Sequence, residues 1–98
     1  MKKFKDPLNT AIFTTKFIVE DKKVIAYVTH DIEDGAWQFL SNDYYDKYED
    51  IAMVLSLAEI IEIDQTVLEI ADLQLGFFAT RQSVKDSWTI YKMNSDNA

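Results

Sequence analysis

The sequence has no cysteine, one proline, Pro7, and two glycines, Gly35 and Gly76. The missing thiols exclude disulfides, Cys-containing zinc sites, redox pairs and thiol nucleophiles. Two glycines cannot build a phosphate-cradling loop, so turns must rest mainly on Asp, Asn and Ser. Histidine occurs once, at His30, which leaves a transition-metal site one nitrogen ligand at most. Long apolar runs are absent too. None approaches the roughly 18–20 residues of a membrane span, and residues 1–5 lead into no apolar signal core, so the chain is expected to be soluble and cytoplasmic. Basic charge is also short: 10 Lys and Arg stand against 17 Asp and Glu, for a net charge of −7.

What is present is enough for a core. With 98 residues, 48% hydrophobic and 13% aromatic, the chain reads as a single domain over 1–98, with an ordered core over 12–93 and a polar tail at 94–98. Its charge is uneven. Residues 1–23 sum to +3, residues 31–72 carry twelve acids against Lys47 for −11, and residues 73–98 sum to +1. This balance lacks the basic footprint that binds phosphates, so nucleic acid and anionic membranes are not expected partners. A basic protein is the partner that such a charge would attract; the plainer role of the same acids is to solvate the surface.

Residues 12–19 are β-branched and aromatic, with Phe13, Thr15, Phe17 and Val19 on one side, and predict a strand. The polar group 20–23 supplies a turn to a second strand over 24–29, predicting an antiparallel hairpin. A polar loop at 30–35, with Gly35 free to take positive φ, precedes a third strand in which Trp37 and Phe39 share a face. Residues 41–50 are an acidic, tyrosine-rich loop with room for one helical turn. After the apolar run 51–55, Ser56 with Glu59 three residues on is a capping box. Leu57, Ile60 and Ile61 then form a helical core stripe, and Asp64 caps a second short helix carrying Val67, Leu68 and Ala71. Residues 77–81 and 88–93 close the chain as strands. The pattern predicts an α+β fold: an antiparallel sheet of about five to six strands with two short helices on one face.

Few residues point to chemistry, and no catalytic set, cofactor site or metal site is expected. His30, Asp31 and Asp34, with Trp37 close by, are the place where an imidazole meets carboxylates, and they are the candidates for a small-ligand or metal sensor, or an enzyme. Adjacent strand-end residues point to opposite sides, however, and Asp residues here also serve a plain turn. The second candidate is Asp43, Tyr44, Tyr45, Asp46, Tyr48, Glu49 and Asp50. Tyrosines give large contact area at low entropic cost and carboxylates steer, so this stretch is the expected protein-contacting surface. It has neither the central glycine nor the ligand spacing of a calcium loop. Trp37, Phe39, Phe77, Phe78 and Trp88 are expected to pack the core, and Arg81, the single arginine, to pair with one of the surplus acids.

Three segments carry a family resemblance: His30-Asp31-x-x-Asp34-Gly35-x-Trp37-Gln38-Phe39-Leu40, then Leu57-x-x-Ile60 with Asp64 and Leu68, then Gly76-x-x-Ala79-x-Arg81. Over roughly residues 12–92 the chain resembles a family of small bacterial domains. That family was first catalogued as a domain of unknown function and then as the thirty-third numbered immunity-protein family of polymorphic toxin systems. Gln65 and the step Gln74-Leu75 replace prolines common in the family, which removes φ restraints near two turns. The resemblance implies an α+β fold, a cytoplasmic bacterial protein, no catalytic residues, and neutralisation of a toxin by direct binding.

Overall fold

The structure is a computed structural model that describes residues 2–93, so the tail expected at 94–98 lies outside the described residues. The elements follow in the order β1 (Ala11–Thr15), α1 (Lys16–Val19), β2 (Tyr27–His30), β3 (Trp37–Leu40), α2 (Tyr48–Ile51), β4 (Ala52–Ser56), α3 (Leu57–Ile63), a 3-10 helix (Gln65–Ile70), β5 (Phe77–Thr80) and β6 (Thr89–Lys92). The strands form one six-stranded sheet, spatial order β4-β1-β3-β2-β5-β6. Its pairs are antiparallel except β1 with β3, which run parallel with Phe13 beside Gln38. The fold is therefore α+β with a mixed, mostly antiparallel sheet.

Two local expectations need correction. The first strand ends at Thr15 instead of reaching residue 19. Continued as a strand, Lys16 would share the buried side of Ile12 and Thr14, where an unpaired ammonium is costly. One helical turn instead exposes Lys16 and buries Ile18. The expected hairpin of the first two strands does not form either. β3 lies between them, pairing with β2 across the Asp31–Ala36 turn and with β1 on its other side. Gly35 has φ +73° in that turn, a conformation that glycine adopts without a Cβ clash.

The core lies on one face of the sheet. Ile12, Val28, Trp37, Phe39 and Ala79 point from the strands toward Leu57 and Ile60 of α3 and Val67 and Ile70 of the 3-10 helix, all of them buried. The capping box forms in full: Ser56 Oγ accepts from Glu59 N at 3.1 Å, and Glu59 Oε1 accepts from Ser56 N at 2.7 Å. Asp64 Oδ1 accepts from Thr66 N at 2.9 Å and so starts the 3-10 helix. The expectation for Arg81 also holds, and it bolts the helices to β5. Its Nη2 donates to Asp64 Oδ2 at 2.8 Å, its Nη1 to Thr66 Oγ1 at 2.8 Å and its Nε to the Ile25 carbonyl at 2.9 Å. The guanidinium also lies 4.0 Å from the centre of the Trp88 ring. Among the described residues, no helix is long and apolar enough to cross a membrane.

Candidate functional site

Strand alternation sends every second residue to the face opposite the helices. One row across the whole sheet reads Val54, Phe13, Gln38, Thr29, Phe78 and Tyr91 by strand register. The row is open at its two edges, where Val54 is 59% exposed and Tyr91 49%, while Thr29 in the middle is buried. Phe78 therefore belongs here, contrary to its expected place in the core. It stacks on Tyr91 at 5.3 Å and on Tyr27 at 5.2 Å, with interplanar angles of 26° and 19°. The three rings make an aromatic stripe from the β6 edge to the middle of the sheet.

At the end of that stripe the loop after β3 leans on the sheet. Thr15, Tyr27 and Leu40 of the sheet, Phe17 of α1, and Asp43 and Tyr45 of the loop line an open cleft of about 360 Å³. Ser41 Oγ donates to Asp43 Oδ2 at 2.7 Å, while Lys23 Nζ stands 3.9 Å from Asp43 Oδ1. Three hydroxyls of this region, Thr15 Oγ1, Thr29 Oγ1 and Tyr48 OH, are buried with no hydrogen-bond partner among the described residues. Burial raises the phenol pKa of Tyr27, and the Asp31 carboxylate adds to that rise. Burial, then Tyr45 and then Asp31, raise that of Tyr48 in the same direction. One carboxylate, Asp31, thus acts on both phenols.

Of the seven residues expected to contact a partner, Asp43 and Tyr48 are half-buried and the other five are exposed. Asp43 is tied to Ser41 at the cleft, and Tyr45 lies against Tyr48 with ring centres 6.0 Å apart. Tyr44, 84% exposed, donates its hydroxyl to Asp46 Oδ1 at 2.8 Å. Glu49 and Asp50 are exposed in α2, where negative charge suits the first helical turn.

Of His30, Asp31, Asp34 and Trp37, the fold brings the two rings together and leaves both carboxylates apart from the imidazole. The His30 ring lies flat on Trp37, centroids 3.8 Å apart, and its Nδ1 is 2.8 Å from the Leu73 carbonyl. Trp37 Nε1 donates to Asp6 Oδ2 at 2.9 Å. Asp31 turns to the open face and accepts from Gln38 Nε2 at 2.8 Å, while Asp34 Oδ1 accepts from the Ala36 amide at 3.0 Å. Asp34 is therefore a turn residue. No group of three or more His, Asp or Glu among the described residues could hold a metal ion.

Sequence reading passed over Tyr27, Phe78 and Tyr91 as surface residues. Period-2 alternation marks each as facing away from Val28, Ala79 and Ile90. It does not tell which of the two faces the helices cover. Compared with family models, curated proteins and solved structures, the chain matches none.

Proposed function

We propose that this protein is a non-enzymatic binding domain that docks its open sheet face and the acidic loop 43–50 onto a basic protein. The observation that carries this reading is continuity. The stacked rings of Tyr91, Phe78 and Tyr27 run into the Asp43–Tyr45 cleft, beside the exposed acids Asp46, Glu49 and Asp50. Aromatic rings supply contact area with few rotors to freeze, and the rim of carboxylates steers a cationic surface and raises the association rate.

The family resemblance makes a toxin domain in a bacterial cytoplasm the partner of this proposal, with neutralisation by occlusion. A nuclease toxin must present basic side chains to hold phosphates, and an acidic protein seated there excludes the substrate. The test is reversal of Asp46, Glu49 and Asp50 to Lys in one chain. A correctly folded triple variant should associate more slowly with the partner captured from the native host, and the wild-type rate should fall as salt rises. Association and protection at the wild-type level across salt concentrations would reduce these acids to a solvated face.

A further inference from the structure

The cleft between β1, β2, β3 and the loop after β3 has its own chemistry. One side is apolar and aromatic, through Phe17 of α1 and Leu40 and Tyr27 of the sheet, and Tyr45 stands on the loop side. Asp43 is the charged residue of the lining. Thr15 also borders the cleft, but at 2% exposed its hydroxyl is covered and offers the occupant nothing. A site of this kind suits an occupant with an apolar stem, a planar cationic head and several donors.

We propose that the cleft receives an arginine side chain of the protein partner. This inference rests on the protein-binding reading above and names the group that anchors it. Tyr27 and Tyr45 line the cleft, and aromatic rings attract a guanidinium, which is less strongly hydrated than an ammonium. Asp43 offers a carboxylate that a guanidinium can engage through two parallel N–H donors. Its present cation, Lys23, stands 3.9 Å away with half of its side chain in solvent, a contact weak enough to be displaced. The methylenes of the stem cover Leu40 and Phe17, and the remaining N–H groups lie on the side of Ser41. An arginine seated in an aromatic cleft between the stripe and the acidic loop, where the surrounding contacts exclude water, is a common form of binding hot spot.

The probe is N-acetyl-argininamide, titrated into the full chain and followed by amide NMR shifts, with N-acetyl-citrullinamide as the neutral isostere and N-acetyl-lysinamide as the ammonium analogue. The expected result is a saturable shift at Thr15, Tyr27, Leu40 and Asp43 with a millimolar constant, tightest for the guanidinium by about tenfold over citrulline. Asp43→Asn should weaken it about tenfold, and Tyr45→Ala, which removes one wall and leaves the Ser41 contact intact, should weaken it independently. No saturable shift at these residues up to about 100 mM probe, or equal binding of citrullinamide, overturns the proposal. So does a preference for the lysine analogue. If the probe fails while the triple reversal still slows the partner, the arginine anchor falls and the protein-binding reading stands. If the probe binds but the triple reversal changes nothing, the reading of the acidic loop falls instead.

Discussion

Asp64 and Arg81 meet at 2.8 Å between Oδ2 and Nη2, with the arginine side chain fully buried and the carboxylate 15% exposed. The same carboxylate begins the 3-10 helix through Thr66 N, so one side chain both starts that helix and neutralises the guanidinium that fastens it to β5. Asp64→Ala would leave a buried cation without its counter-charge. The expected cost is about 3–5 kcal/mol, read as a lower midpoint in a urea titration. A loss below about 1 kcal/mol would mean that the Ile25 carbonyl, the Thr66 hydroxyl and the Trp88 ring satisfy the guanidinium by themselves.

Ser56 accepts the Glu59 amide while Glu59 accepts the Ser56 amide. Ser56→Ala removes one half of this reciprocal cap and should destabilise the domain by about 0.5–2 kcal/mol. Ser56→Asp, which keeps an acceptor at the same position, should recover most of the loss. Equal midpoints for wild type and Ser56→Ala would show that the cap contributes nothing.

His30 reads as a packing residue. Its ring covers Trp37 and its Nδ1 pairs with the Leu73 carbonyl, so His30→Ala should cost about 1–3 kcal/mol from the lost stack and hydrogen bond together. Calorimetric titration with zinc should give no stoichiometric heat tighter than micromolar. A His30-dependent zinc signal would restore the sensor reading of His30, Asp31 and Asp34.

The phenols of Tyr27 and Tyr48 are held above the ordinary value of 10.0, first by burial and then by neighbouring groups that include Asp31. A raised pKa means that the folded state keeps the proton longer than the unfolded chain. Stability from these two groups is therefore complete below about pH 10 and declines as pH rises through their folded values. Ultraviolet titration should show two late-ionising tyrosines, lost in Tyr27→Phe and Tyr48→Phe, and moved partway down in Asp31→Asn. An Asp31→Asn curve identical to wild type would detach that carboxylate from the cluster.

Residues close together in the chain were legible from the sequence because their hydrogen bonds close within a few positions. The Ser56 capping box, the Asp64 cap, the Gly35 turn and the one-turn helix in the acidic loop are of this kind. The β-branched and aromatic runs also located most strands, since side-chain alternation has a period of two whatever the neighbour. Alternation does not choose that neighbour. The insertion of β3 between β1 and β2, and the parallel β1–β3 pair, are long-range pairings that no local pattern specifies; the exposed Lys16 and buried Ile18 account only for the end of β1 at Thr15. The same long-range pairing decided the surface. Ile12, Val28, Phe39 and Ala79 face the helices, and the alternate residues face the other side, open at the edge strands and buried at Thr15 and Thr29. Tyr27, Phe78 and Tyr91, distant in sequence, became a single stacked stripe because sheet register set their rings side by side.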